Sequence, residues 1–270
     1  MQTLSFFDKE KPSLPKAKKS FGQNFLIDGS VVNKIVAAAT IQKGETVLEI
    51  GPGTGLLTDA LVRAGAKVIA IELDHDLIAP LTEKFGDKIE LIEGDALHMR
   101  SLPVIDKQFK LIANIPYNIT SQIIERFLCH EPRPTRMVLM VQKEVADRIL
   151  AKPPRMSLLS LVSQIYADCS RVVPVKAGSF RPIPKVDSAV VQFDLKFEEL
   201  EIGKKEQIIK FAKVGFSSPR KQLQNNLAGG LQRTSEDVKK ALESIGLNPQ
   251  IRAEGLTLED WIRLEHRFNI

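Results

Sequence analysis

A short β-branched run, Thr46-Val47-Leu48-Glu49-Ile50, stops at Gly51-Pro52-Gly53-Thr54-Gly55 and gives way to Leu56–Gly65, whose apolar residues recur at helical spacing. A strand that turns through three glycines into a helix is the opening of a βαβ unit, and here the alternation continues. Lys67–Glu72, Lys88–Glu93, Phe109–Ala113 and Thr135–Val141 read as further strands. Ser30–Ile41 reads as a helix with Ser30 as N-cap, and His75–Gly86 as a helix that Pro80 is expected to bend. Gly65 closes the helix after the glycine loop. Apolar strands alternating with helices predict an α/β fold whose parallel sheet is covered on both faces.

The pattern then changes. After a helix over Ser157–Ala167, the runs Arg171–Ala177 and Ser188–Phe197 are strand-like, joined by a proline-rich loop, and should close the sheet as an antiparallel edge. Beyond about Gly203 strand signals vanish. Lys205–Phe216, Arg220–Ala228, Ser235–Gly246 and Thr257–Phe268 read as helices. Ser218-Pro219 looks like a helix start, Ser235 and Thr257 like N-caps, and Gly246 like a stop. The expected organisation is a flexible basic arm (residues 1–20), a catalytic α/β domain (21–200) and a small all-helical domain (201–270).

Charge and cysteine use exclude little but point one way. Lys plus Arg is 38 against 33 Asp plus Glu, a net +5 that suits an anionic partner and is also common among soluble enzymes. Cys129 and Cys169 form no Cys-x-x-Cys, and the four histidines stand apart, so neither a disulfide framework nor a metal site is expected. The N-terminus reads as neither a signal peptide nor a membrane span, which places the protein in the cytoplasm.

Glycines directly after the first strand let the backbone approach a ligand closely. A dinucleotide fingerprint would need a glycine at Leu56, so Gly51-x-Gly53-x-Gly55 fits S-adenosylmethionine better, while a tight turn and nothing more is the plain alternative. Glu72 ends the second strand, where a carboxylate can accept both ribose hydroxyls. Asp95 follows the third, where it can accept from an adenine amino group. Open α/β sheets bind ligands at this rim, so three strands ending there in compatible residues outweigh the reading of each as a solvated strand end. Glu49, inside the first strand, fits either a contact to the methionine amine or a structural carboxylate.

The fourth strand ends in Asn114-Ile115-Pro116-Tyr117. The lone pair of an adenine N6 is delocalised into the ring, so the amine is a poor nucleophile. Two oxygens fixed to receive its N–H groups steer that lone pair towards a methyl donor. The Asn114 side-chain oxygen and a backbone carbonyl at Ile115 or Pro116 can supply them; Pro116 stiffens the loop, and Tyr117 can stack on the base. No strong base is needed, because the methylated ammonium loses its proton readily to water.

These segments, with Phe21–Asp28, Val141–Ile149, Phe180–Val190 and Arg220–Leu227, resemble the ribosomal RNA adenine N6-dimethyltransferases over roughly residues 16–228. The resemblance implies a class I S-adenosylmethionine-dependent methyltransferase fold, Rossmann-like, with a mostly parallel seven-stranded sheet and a helical C-terminal domain. It implies cofactor contacts at Asn24, Leu26, Gly51, Gly53, Glu72, Asp95, Ala96 and Asn114. It also implies two methyl transfers to each of two adjacent adenosines in the 3′-terminal hairpin of 16S rRNA, within a monomer's encounter with the small ribosomal subunit. Phe180, in Phe180-x-Pro182-x-Pro184, would lie near the target base. Lys16, Lys18, Lys19, Arg220 and Lys221 are candidate phosphate contacts, each also readable as a solvated surface charge. The family usually has leucine at Ile115 and Tyr-Gly near Met156-Ser157, which puts the local turn there in question. Two other readings stand beside catalysis on 16S rRNA: an assembly factor for immature small subunits, and an adenine methyltransferase acting on another nucleic acid.

Overall fold

The structure, a computed structural model, describes residues 15–98, 108–197 and 200–268. A two-residue strand β1 (Phe25–Leu26) precedes helix α1 (Gly29–Ala39). Then come β2 (Thr46–Ile50), α2 (Leu56–Arg63), β3 (Lys67–Glu72), α3 (His75–Phe85), β4 (Ile89–Glu93) and β5 (Lys110–Asn114). They are followed by α4 (Thr120–Cys129), β6 (Arg136–Gln142), α5 (Lys143–Ile149), α6 (Leu158–Tyr166), β7 (Ala167–Val175), the short β8 (Phe180–Arg181) and β9 (Ser188–Leu195). Helices α7 (Ile202–Gly215), α8 (Leu223–Leu231), α9 (Ser235–Ser244) and α10 (Leu258–Phe268) complete the chain.

Seven strands form one sheet in the order β4-β3-β2-β5-β6-β9-β7. The first five run parallel, and β9 is antiparallel to both β6 and β7. The expected antiparallel pair is therefore present, with β9 slotted inside and β7 on the edge. Strand order reverses between β2 and β5, and a crevice opens beyond the carboxyl ends of such neighbours.

Period-two alternation sorts the core into two layers. Val47, Val68, Ala70, Ile112 and Val138 face α1, α2 and α3, which bring Ile35, Leu61 and Leu81. Leu48, Ile50, Ile69, Leu111 and Met137 face α4, α5 and α6, which bring Phe127, Ile149 and Leu161. Glu49 shares the first of these faces and is buried there by position, not by hydrophobicity. The second layer continues into the C-terminal helices through Ile208, Phe211 and Trp261. Trp261 stacks on Phe216 at 5.4 Å and meets Phe211 edge-on at 6.0 Å.

Several local expectations shift. Helix α1 is capped by Asp28, which accepts from the Ser30 N–H at 2.9 Å, so Ser30 stands inside the helix. Likewise Thr234, not Ser235, caps α9. Thr257 does cap α10, accepting from Asp260 N–H at 3.1 Å while its own N–H donates to Asp260. Ser218-Pro219 starts no helix. The Ser218 and Gly215 carbonyls both accept from Asn226 Nδ2, which holds residues 215–221 as a turn and delays α8 to Leu223. That settles Asn226 as a structural tie, whereas Asn225 is exposed. Helix α3 runs unbroken through Pro80. Met156 is buried, and Ser157 forms a capping box with Ser160, so a turn survives without Tyr-Gly. Among the described residues no helix is long and apolar enough to cross a membrane.

Candidate active site

One cleft at the carboxyl rim is lined by Asn24, Leu26, Glu49, Gly51, Gly53, Glu72, Asp95, Ala96, Asn114, Pro116 and Tyr117. Strands β2, β3, β4 and β5 deliver all of them but Asn24 and Leu26, which come with β1. After β2 the chain turns through Gly51, Gly53 and Gly55, all at positive φ. A Cβ on Gly53 would stand 3.2 Å from the Phe25 ring, and one on Gly55 only 2.6 Å from the ring of Phe85. Gly51 and Gly53 present backbone to the cleft, whereas Gly55 lets the loop pack against the Phe85 ring of α3.

Glu72 ends β3 and is buried. One oxygen accepts from Gly53 N–H at 3.1 Å and the other from Asp74 N–H at 2.9 Å, which fixes the carboxylate beside the glycine loop with a lone pair left on each oxygen. Burial raises its pKa. Glu49 is 1% exposed; the buried Thr58 hydroxyl is its polar neighbour and favours the charged form, but no hydrogen bond of good geometry reaches Oε2 among the described residues. Burial pushes this carboxyl up to about 8. An orphaned acid in a cleft wall suits a cationic ligand group. Asp95 accepts from Leu97 N–H at 2.9 Å, and its second oxygen meets His98 Nδ1 at 2.7 Å, so an incoming amine would share it with an exposed imidazole.

Asn114 ends β5 and donates from Nδ2 to the Asn24 carbonyl at 3.2 Å. That bond orients the amide and leaves Oδ1 as a fixed acceptor. The two candidate carbonyls now separate. Pro116 O already accepts from Ile119 N–H and Thr120 Oγ1, turned into the start of α4. Ile115 O accepts no hydrogen bond among the described residues and is the better second acceptor. Pro116 thus acts on the loop's shape. Tyr117 is half-buried, with its hydroxyl tied to Ser188 Oγ at 2.8 Å.

Two expectations need correction. Phe180 does not line the cleft. It is fully buried, its backbone pairs with Leu26 in the β1–β8 ladder, and its ring belongs to the layer under α1. Lys18 is no unpaired phosphate contact either: it forms ion pairs with Asp74 and Asp76. Lys16, Arg220 and Lys221 are exposed, while the side chain of Lys19 and residues 1–14 lie outside what is described. Sequence reasoning missed Asp74, Gln23 and Ser188. Their side chains act at second hand on partners 51 and 71 residues away, which no local spacing reveals.

Glycine backbone, a fixed carboxylate for ribose and an orphaned acid for an ammonium fit S-adenosylmethionine, and an oriented amide oxygen beside a tyrosine fits an amine acceptor. Comparison with known proteins agrees. A family model described as ribosomal RNA adenine dimethylase matches residues 14–269. Ribosomal RNA small subunit methyltransferase A of Dehalococcoides mccartyi strain CBDB1 is 42% identical over 92% of this chain and 87% of that protein. Its namesake from Syntrophotalea carbinolica is 42% identical over 92% and 96%. A dimethyladenosine transferase from Plasmodium falciparum superposes with a TM-score of 0.76 at 28% identity, covering 91% of this chain and 97% of that one. The 23S rRNA methyltransferase ErmE gives 0.75 at 29%, covering 92% and 100%. The fold is thus that of the S-adenosylmethionine-dependent methyltransferases, with a helical C-terminal region, and the chain is an enzyme of that kind acting on ribosomal RNA adenine. It belongs to the ribosomal RNA adenine dimethylase family.

Proposed function

We propose that the protein dimethylates the N6 amines of two adjacent adenosines in the 3′-terminal hairpin of 16S rRNA, on the small ribosomal subunit, as a step in ribosome biogenesis. The relatives named for the small subunit, 36–42% identical, support that target over the large-subunit target of ErmE. The observation that carries the chemistry is the Asn114 amide, whose Nδ2 is committed to Asn24 and whose oxygen is thereby aimed.

S-adenosylmethionine supplies a methyl group on a sulfonium. Around it, Gly51, Gly53, Glu72, Asp95 and Ala96 bind the nucleoside, and Asn24, Leu26 and Glu49 bind the methionine end. The target amine donates to Asn114 Oδ1 and Ile115 O, which turns its lone pair towards the methyl. Tyr117, anchored by Ser188, stacks on the base, worth ~1–3 kcal/mol. Holding two reactants in register can contribute on the order of 7–11 kcal/mol. Phosphates meet Lys16, Arg220 and Lys221. In this reading residues 21–200 form the catalytic unit and 201–270 an RNA-facing helical unit, and the protein works as a cytoplasmic monomer.

The test is methyl transfer to unmethylated small subunits, large subunits and naked DNA. Two dimethylated adenosines on the small subunit alone are expected. Transfer to large-subunit RNA or DNA instead would move the target, and full growth rescue by an inactive Asn114→Ala variant would favour an assembly role.

A further inference from the structure

Residues Ser20–Leu26 wall one side of the cleft and touch the site at three places. Phe25 lies against the glycine loop, and the Asn24 carbonyl receives Asn114. The third place is Asp74, two residues past Glu72. Its carboxylate, 2% exposed, accepts from Lys18 Nζ through one oxygen and from Gln23 Nε2 at 2.7 Å through the other. Gln23 Oε1 accepts from the Lys18 backbone N–H at 2.7 Å, so the three residues form one closed cluster. The Asp74 N–H holds Glu72 Oε1 at 2.9 Å. A single residue grips the ribose carboxylate with its backbone and the cleft wall with its side chain.

Between Lys18 and Leu26 the wall has only a single 3₁₀ turn (Lys19–Phe21) and the two-residue β1 as regular structure. Segments so lightly tied open locally before the core does. Phe25 and Leu26 are buried in the core and anchor the far end of the segment, so the Asp74 tie is what secures its near end, residues 18–23. With Lys18 35% exposed, its ionic part is screened by salt.

We propose that Asp74 is a positioning residue that latches residues 18–26 across the cleft through Lys18 and Gln23, and that opening of this latch governs exchange of the nucleoside cofactor and its thioether product. The proposal rests on the reading of the cleft as the cofactor site. It gives Lys18 a role in retention rather than in phosphate binding.

The probe is S-adenosylhomocysteine, its dissociation followed by stopped-flow displacement at low and high potassium chloride alongside thermal melts. Asp74→Asn keeps a competent N-cap for α3 while removing the charge. Lys18→Met removes only the ammonium, and Lys18→Arg restores a cation. Wild-type release should quicken several-fold with salt. Lys18→Met should release several-fold faster at low salt with a flat salt response, Asp74→Asn should also release faster but keep part of the salt response through the remaining Lys18–Asp76 pair, and Lys18→Arg should return towards wild type. Should Asp74→Asn lose stability, Lys18→Met decides alone, since no helix cap depends on it. Wild-type release kinetics and salt response in Lys18→Met overturn the latch. A wild-type protein that binds no S-adenosylhomocysteine removes the reading of the cleft itself.

Discussion

Glu49 makes the protein's stability respond to pH in a way one substitution can isolate. The group is 1% exposed, and burial is the main cause that lifts its carboxyl from 4.5 to about 8, with the Glu72 charge adding to it. Between those values the folded protein holds a proton that the unfolded chain has released. Its contribution is therefore most favourable below about 4.5, declines as pH rises, and levels off above about 8. The decline is about 1.4 kcal/mol per pH unit, on the order of 4–5 kcal/mol across the window. Glu49→Gln is nearly isosteric and cannot ionise. In denaturant melts the variant should gain on wild type from pH 5 to about pH 8 and then hold level, by several kcal/mol in all. Groups that do not interact with Glu49 cancel in that difference, whereas Glu72, whose charge adds to the shift, titrates together with it. Cofactor binding adds a second reading, because an ammonium beside Glu49 favours the carboxylate. Calorimetry in buffers of different ionisation enthalpy should find proton release near pH 7 in wild type and less in Glu49→Gln. Stability curves that stay parallel from pH 5 to pH 9 would refute the reasoning.

Four further outcomes are expected. Gly55→Ala should lower stability by about 1–3 kcal/mol in thermal melts, since its Cβ would press into the Phe85 ring at positive φ. Tyr117→Ala should weaken RNA target placement by about 1–3 kcal/mol in kcat/KM with cofactor affinity unchanged; Tyr117→Phe, which loses only the bond to Ser188, should fall between. Phe180→Ala should cost about 3–5 kcal/mol of folding stability, seen in denaturant melts, because the ring fills the layer beneath α1. RNA affinity should drop steeply with salt, and Arg220→Ala and Lys221→Ala should each reduce the logarithmic slope by about 1 in filter-binding titrations.

The central sheet was legible because β2, β3, β5 and β6 are nearly continuous apolar runs, which only a strand buried on both faces tolerates. The cleft was legible because Gly51, Gly53, Glu72, Asp95 and Asn114 all sit within a few residues of strand ends, and strand ends share a rim. What escaped depended on distant partners. Phe180 is withdrawn into the core by a pairing with Leu26, 154 residues away, that leaves no periodicity. Lys18 looked like a surface cation because its partner, Asp74, lies 56 residues on. The start of β7 at Ala167-Asp168-Cys169-Ser170 was hidden because these are poor strand formers, held in line by pairing with β9. Ser218 and Ser235 lost as helix starts to tertiary ties and a neighbouring threonine.

A crystal structure with S-adenosylhomocysteine and adenosine monophosphate would show whether the strand ends serve one reaction centre. The ribose should lie on Glu72, the cofactor adenine by Asp95, and the second adenine against Tyr117 with its amine between Asn114 Oδ1 and Ile115 O. A nucleoside bound away from the glycine loop, or a second adenine whose amine points away from Asn114, would contradict the proposed chemistry.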